Sequence, residues 1–429
     1  MKAHKGLSFL VLLFMVMVIT ACAGNGLQLT GNSPSPQYKM TTPIAPGVAV
    51  PDKIETSIGT LKLIDGYPDD ATTQKIYDNL DASRALQAYL LGIPLVNQAA
   101  MRGSLLQYGP ANQTDPIWED LVDSKTVELT ANANTVYSFI WLDTKKGPLV
   151  VEAPPMVLGL IDDFWYKWVV DIGITGPDKG KGGKYLFLPP GYTGEVPEGY
   201  FVVRPSTYGN WFPFRSFLVD GSPKPGVESV KKHLKIYHLA DKDNPPAIEY
   251  VNLSGRPSNL VAPGDYAFWG LLNKVIQEEP SEGSDPTTLG LFASIGIEKG
   301  KPFNPDERMK KILTDAANIG AVTARAIAFR IRDKDAFFYP DSAWRLPFFG
   351  GYKFEVSPGV ANLDGAAFFY YIATGVTPAM EEKMVGKGSQ YPWAAQDSDG
   401  NPFEIFKPET LMVTSASLSE RQLRRSGFL

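Results

Sequence analysis

Val136-Tyr137-Ser138-Phe139-Ile140-Trp141-Leu142 is a short apolar run of the kind that forms a buried β-strand. It is one of eight apolar or alternating runs, separated by Gly and Pro, between residues 126 and 253. The other runs are 127–129, 148–152, 164–171, 184–188, 199–204, 211–219 and 234–239. Short strands at this spacing are typical of an antiparallel sandwich or barrel. We therefore predict an α+β protein whose N-terminal domain is an antiparallel β-sandwich.

Helical patterns lie on both sides of these runs. Apolar residues recur at three- and four-residue spacing over 76–93, which predicts an amphipathic helix that Pro94 kinks or ends. A second helical piece should follow to Leu106, and 268–276 and 288–295 also have helical patterns. The sheet domain is therefore expected between two helical regions.

The longest helix is predicted to begin at Asn304-Pro305-Asp306-Glu307, with Asn304 as the N-cap and proline at the first helical position. Its apolar stripe runs from Met309 to Ile331, so one face should be buried as a spacer toward the C-terminal part. Asn362 predicts the N-cap of a further helix that ends at Gly375.

Composition excludes several classes of protein. The chain has 429 residues, 44% hydrophobic and 20% charged, which is typical of a globular protein of more than one domain. Its net charge of -5 and the lack of a Lys/Arg cluster argue against nucleic acid as a partner. One cysteine and three histidines exclude a disulfide framework and a cysteine-based zinc cluster, so we predict no metal and no cofactor.

The N-terminus predicts export and lipidation. A basic start and a short apolar core over 1–21 are typical of a signal peptide, too short to span a bilayer. Ile19-Thr20-Ala21-Cys22 resembles the lipobox of bacterial lipoproteins, which makes Cys22 the lipidation site. The Gly-, Pro-, Ser- and Thr-rich residues after Cys22 indicate a flexible tether. With Ala23 following the cysteine, we expect an envelope protein anchored in the outer membrane and facing the periplasm.

Several motifs resemble a known bacterial envelope family. They are Leu129-Thr130-Ala131-Asn132-Ala133-Asn134-Thr135-Val136-Tyr137-Ser138, Glu152-Ala153-Pro154-Pro155, Asp162-Asp163-Phe164-Trp165, residues 176–185 and Pro189-Pro190-Gly191-Tyr192. The family combines domain of unknown function 1254 with domain of unknown function 1214. The resemblance runs from about Ala82 to Phe403. It implies two all-β domains joined by a helical segment, with no settled activity.

The resemblance fails at the C-terminus. Family members continue through a second β-domain with Phe-Trp-Ser and Asn-Trp motifs, but residues 404–429 contain neither. We interpret this as a truncation or frameshift, with a genuine short form as the alternative. The loss would leave apolar surface at Phe348-Phe349, Phe354 and 368–371, available for self-association.

The predicted organisation is therefore sequential. It comprises a lipoprotein signal peptide (1–21), a flexible tether (22–60), a helical segment (61–115), the β-sandwich domain (116–256), a helical spacer (257–340) and an incomplete C-terminal β-domain (341–429).

Three motifs have ordinary interpretations. His233 and His238 would lie on opposite faces of one strand, where they cannot share a metal. The Gly- and Lys-rich loop 176–184 departs from the Walker pattern, so a flexible hairpin loop is favoured over a weak anion site. Ser229-Val230-Lys231-Lys232 lacks the companion motifs of penicillin-binding enzymes, so serine hydrolysis is unsupported.

The candidate ligand-binding residues are amides, aromatics, acids and one cation in strand-like segments. They are Asn132, Asn134, Tyr137, Asp163, Trp165, Asp171 and Arg215. Arg204 and Arg215 follow or interrupt apolar runs, where each needs a carboxylate or an anionic ligand.

Two functions of different kinds fit these residues. The first is a membrane-anchored, non-enzymatic lipoprotein that binds a small, partly apolar ligand or a cell-wall component. The second is a metal-independent hydrolase or isomerase with Asp163 or Asp171 as general base. A pocket that buries one of these carboxylates near Tyr137 or Arg215 would favour the enzyme. An inactive remnant is the third possibility.

Overall fold

The computed structural model describes residues 41–45, 47–340, 342–381, 391–397, 399 and 401–402. The described residues divide into two compact units, one up to Thr72 and the other from Thr73. In the first unit, the antiparallel strands β1 (Lys53–Thr56), β2 (Gly59–Ile64) and β3 (Tyr67–Pro68) form one sheet in that order. Residues 53–60, predicted as the end of the tether, therefore form strand and turn. The predicted signal peptide, Cys22 and residues 404–429 lie outside the described residues.

Six described helices and two main sheets confirm the α+β class. The helices are α1 (Asp70–Leu105), α2 (Lys224–His233), α3 (Ala267–Glu278), α4 (Pro286–Ser294), α5 (Glu307–Phe329) and α6 (Leu363–Ile372). The strands of the second unit are β4 (Thr114–Ile117), β5 (Thr126–Val127), β6 (Val136–Asp143), β7 (Leu149–Ala153), β8 (Val157–Asp163), β9 (Trp168–Gly173), β10 (Gly183–Phe187), β11 (Phe201–Val203), β12 (Gly209–Ser216), β13 (Lys235–His238), β14 (Glu249–Asn252), β15 (Ser258–Asn259), β16 (Glu355–Ser357) and β17 (Val360–Ala361).

The two main sheets are open and mostly antiparallel. One has six strands in the order β14-β4-β6-β12-β8-β9, and the other has four in the order β11-β10-β7-β13. The prediction of a purely antiparallel sandwich is wrong in detail, because β10 pairs with β11, and β4 with β14, in parallel. These parallel partners are short strands at the sheet edges, reached by long connections.

The six-stranded sheet separates two apolar cores. Alternation along β6 places Val136, Ile140 and Leu142 in the core that the two sheets share. Phe139 and Trp141 point to the opposite face, where they join the core formed with the helices. This is why the run 136–142 is apolar throughout: both faces of the strand are buried.

The helices cover that second face. Phe268 and Trp269 of α3 pack on Tyr89 of α1, with ring centroids 4.1 Å and 6.1 Å from that of Tyr89. Of the two predicted effects of Pro94, a kink or the end of the helix, the end is wrong, because α1 continues through Pro94 to Leu105. Buried apolar neighbours on both sides of Pro94 hold the helix together despite the lost hydrogen bond.

The helix α5 begins later than predicted. Its N-cap is Asp306, whose carboxylate accepts from the Met309 backbone N–H at 2.7 Å, so Asn304 and Pro305 precede the helix. By length and composition α5 could span a membrane, and 33% of its apolar window is buried inside the fold. Its buried side lies in the helical core, as predicted from the apolar stripe.

The C-terminal aromatic residues are buried. Phe348, Phe354, Phe368, Phe369 and Tyr370 are each 7% exposed or less and belong to the helical core. The prediction that these residues form an unpartnered apolar surface is therefore wrong, because α6 packs against other helices: the Asn97 amide of α1 donates to the Tyr370 carbonyl, and the ring of Phe329 in α5 lies 6.0 Å from that of Tyr371. The Asn362 cap of α6 is confirmed by its side-chain bond to the Gly365 N–H.

Candidate functional site

A cavity of 490 Å³ lies on the helical face of the six-stranded sheet. Strands β6, β8 and β12 form its floor, the segment after β5 forms one wall, and α6 with the residues after it forms another. Its lining is mainly apolar and aromatic, and includes Phe139, Leu158, Leu160, Trp211, Phe348, Phe369 and Trp393. A cavity of this size and character is typical of a site for a small molecule.

One turn fixes the position of Tyr137 in this cavity. The Asn132 side-chain oxygen accepts from the Asn134 backbone N–H at 3.1 Å and from the Thr135 hydroxyl at 3.0 Å. The Asn132 amide nitrogen then donates to the Tyr137 phenol oxygen at 2.9 Å. The motif that resembled the family thus builds an Asx turn that orients one phenol.

Arg215 enters the cavity from β12. Its Nη2 donates to the Tyr391 phenol oxygen at 3.1 Å, and the Tyr137 phenol lies beside the same guanidinium. Within the described residues, no carboxylate forms an ion pair with Arg215. Burial favours the neutral form, but Tyr391 and Tyr137 offset this and the pKa of Arg215 is raised, so the side chain is a cation.

Glu128 is the acid among the described lining residues. It is 2% exposed, and its Oε1 accepts from the Thr374 hydroxyl at 3.0 Å. Burial raises the pKa of Glu128 to about 8, against an ordinary value of 4.5. The carboxyl is therefore largely protonated at neutral pH and can donate a hydrogen bond.

The predicted acids lie behind the lining. Asp163 accepts from the backbone N–H groups of Trp165 and Lys167 and from Ser206, which fixes the turn between β8 and β9. Asp171 accepts from Thr377 at 2.6 Å and therefore holds a lining residue from behind. Burial raises the pKa of both carboxyls.

Three of the seven predicted residues therefore line the cavity: Asn132, Tyr137 and Arg215. Asn134 is exposed in the turn, and Trp165 is buried in the helical core. Sequence inspection missed Glu128 and Thr374. An acid inside the apolar run 127–129 was the available signal for Glu128.

Other sequence motifs have structural roles. Arg204 is exposed after β11 and needs no buried partner. The prediction that one regular strand contains both histidines is wrong, because His233 is the last residue of α2 whereas His238 lies in β13. No group of three His, Cys, Asp or Glu side chains suited to a metal occurs among the described residues.

The Gly- and Lys-rich loop binds a carboxylate of its own. Asp178 accepts from the backbone N–H groups of Gly173 (2.8 Å) and Gly182 (3.1 Å) and from the Tyr185 hydroxyl (2.6 Å). These donors are the ones that an external anion would need. The loop is therefore a built turn around an internal anion.

Part of this architecture matches a known protein family. Residues 113–238 match the model of a protein family of unknown function, DUF1254. The DUF1254 segment runs from β4 to β13, so it contains both main sheets except β14 and includes the floor of the cavity. The lining residues Phe348, Phe369 and Trp393 follow this segment along the chain.

A solved structure shares the fold. The crystal structure of the VPA0106 protein from Vibrio parahaemolyticus is 18% identical in sequence, with a TM-score of 0.51. The similarity covers 75% of this chain and 73% of that one. A search of curated proteins gave no match.

Proposed function

We propose that this protein is a lipid-anchored envelope protein that binds a small, partly apolar molecule in the cavity above β6, β8 and β12. The observation that carries the proposal is the cavity itself, which has a volume of 490 Å³ and combines aromatic and aliphatic lining residues with a few polar groups. Those groups are Asn132, Tyr137, Arg215, Glu128 and Thr374.

A cavity-filling variant tests ligand binding. Leu158→Trp replaces an isobutyl group on the cavity floor with a bulky indole ring and should abolish the thermal shift that a hit from a library of small amphipathic compounds produces. Ala379→Leu is a milder filling variant of the same lining. Val202→Trp is the matched control, because Val202 is 45% exposed on β11, outside the cavity. Equal ligand shifts in all four proteins would contradict the proposal.

The anchor depends on Cys22. Cys22→Ser should release the protein from the membrane fraction, and a palmitate analogue should label only the wild type. Recovery of the mutant in membranes after a carbonate wash would show a different anchor.

An enzymatic function would depend on Glu128. Neither Asp163 nor Asp171 lines the cavity, whereas Glu128 does, and its raised pKa of about 8 suits proton transfer near neutral pH. A hydrolase or isomerase should lose its activity in Glu128→Gln while its ligand still binds. Turnover that survives Glu128→Gln would exclude this role.

We further propose that the chain is a DUF1254-type protein in which the matched segment is followed by a domain of the DUF1214 kind. The match over 113–238 supports the first part. Its test is the structure of a protein that carries both domains, which should superpose on the described residues after 238 as well as on residues 113–238.

A further inference from the structure

Arg215 is the one cationic side chain among the described residues that line the cavity. The carboxyl of Glu128 in the same cavity accepts a hydrogen bond from Thr374 and makes no described hydrogen bond or ion pair with Arg215. A guanidinium has five N–H donors, and the two phenols beside it cannot accept all of them. A half-buried cation in apolar surroundings is costly without an anion.

The two phenols add donors around the same point. Tyr391 accepts from Arg215, and Tyr137 accepts from the Asn132 amide and has the Thr135 hydroxyl beside it, so each phenol O–H can turn toward an oxygen of a bound anion. Burial raises the pKa of Tyr137, so its hydroxyl stays protonated at neutral pH. A cation and two O–H donors together suit the oxygens of a small anion.

The remaining lining determines the rest of the ligand. Phe139, Leu160, Phe348 and Phe369 offer surface for an apolar body but no further charge. We infer that the ligand is a small amphipathic anion, whose carboxylate or phosphate monoester binds at Arg215 between Tyr137 and Tyr391 and whose apolar part fills the aromatic cavity. This inference rests on the proposed ligand-binding function.

Four probes with one alkyl chain test it. Octanoate, octyl phosphate, octan-1-ol and octylamine are titrated below the concentrations at which they form micelles or separate from water. Binding is measured by calorimetry and by the fluorescence of the lining residues Trp211 and Trp393. Wild-type protein should bind at least one of the two anions about tenfold or more tightly than the alcohol, and the amine least. The stronger of the two anions identifies the headgroup.

Variants of Arg215 separate charge from shape. Arg215→Gln should weaken binding of the preferred anion about tenfold to a hundredfold and change octanol binding less than about twofold. Arg215→Lys keeps the charge and should retain part of the preference. Tyr391→Phe and Tyr137→Phe should each weaken binding of the preferred anion about threefold to tenfold.

The outcomes distinguish the two proposals. If octanol and the anions bind the wild type equally, the inference about the anion is wrong while the ligand-binding function stands. If none of the four probes binds, and the compound library gives no hit either, both are wrong. If Arg215→Gln does not fold, the inference is still tested by the selectivity of the wild type and by the anion affinities of the two phenylalanine variants.

Discussion

Single buried acids decide how this protein responds to pH. The unfolded chain gives Glu128 an ordinary pKa near 4.5, and the folded protein raises it to about 8. Between these values the folded state holds a proton that the unfolded state has lost. The free energy of unfolding therefore falls as pH rises through this window.

Glu128→Gln should remove this penalty. The variant should match the wild type in stability at pH 5, where the acid is protonated, and exceed it at pH 8 by an amount on the order of a few kcal/mol. Urea unfolding at both pH values measures the difference. The exposed Glu249→Gln is the control and should follow the wild type at both pH values. A variant whose stability changes with pH as the wild type does would place Glu128 in contact with water.

Among the secondary-structure elements, α3 has an unusual C-terminus. The Lys299 ammonium donates to the last carbonyls of the helix region, those of Ile276 (3.3 Å), Gln277 (3.0 Å) and Glu279 (2.6 Å). These carbonyls have no partner within the helix, and a cation at this end also complements the helix dipole.

Lys299→Met should lower the free energy of unfolding by about 1–2 kcal/mol. Lys301→Met is the matched control, because the Lys301 side chain is 65% exposed and pairs with Glu298 on the surface. It should change stability by less than about 0.5 kcal/mol. Denaturant titration of both variants makes the comparison, and equal losses would argue against the cap.

A second prediction for a single structural element concerns the loop around Asp178. Asp178→Ala removes three hydrogen bonds to a carboxylate that is 5% exposed, so stability should fall by roughly 3 kcal/mol or more. Tyr185→Phe removes one of these bonds and should cost about 1 kcal/mol. Amide hydrogen exchange at Gly182 should accelerate in Asp178→Ala, and unchanged protection there would show another source of order.

Local signals explain which elements were predictable. Asn362 caps α6 as expected because an N-cap depends on only a few neighbouring residues. The strand β8 was missed because both of its faces are buried, which removes alternation, and because Asp162 and Asp163 resemble turn residues. An element that depends on neighbouring residues can thus be predicted from the sequence. Burial on both faces removes the alternation by which a strand would be recognised.

The candidate site shows the same limit. Asn132, Tyr137 and Arg215 were identifiable as polar residues beside or within apolar strands, and they do share one cavity. Glu128 and Thr374 are 246 positions apart, and they meet because the segment after α6 packs against the residues after β5. No pattern within one segment contains that information.

At the scale of the whole molecule, several buried acids act in the same direction. Burial raises the pKa of Asp115 and of Glu279 to about 7, and also raises those of Asp162, Asp163 and Asp171. All of them keep protons in the folded state that the unfolded chain releases. Acids with lowered pKa, such as Asp78, Glu152 and Asp285, act at lower pH and do not cancel this effect.

The free energy of unfolding should therefore decrease from about pH 5 to pH 8. Urea midpoints measured at unit steps of pH, with constant ionic strength, test this directly. A maximum near pH 8 would mean that water reaches these carboxyls in the folded protein.

The two faces of the six-stranded sheet should also differ in the substitutions that they tolerate in relatives. Along β8 and β12, one set of side chains holds the sandwich together, and the alternate set, including Leu158, Leu160 and Pro213, faces the cavity. Mutations in the second set can alter the shape of the cavity floor while the sandwich core stays intact. Lineages with this scaffold can thus acquire new ligands through drift at alternate positions of the same strands, without first acquiring a more stable fold.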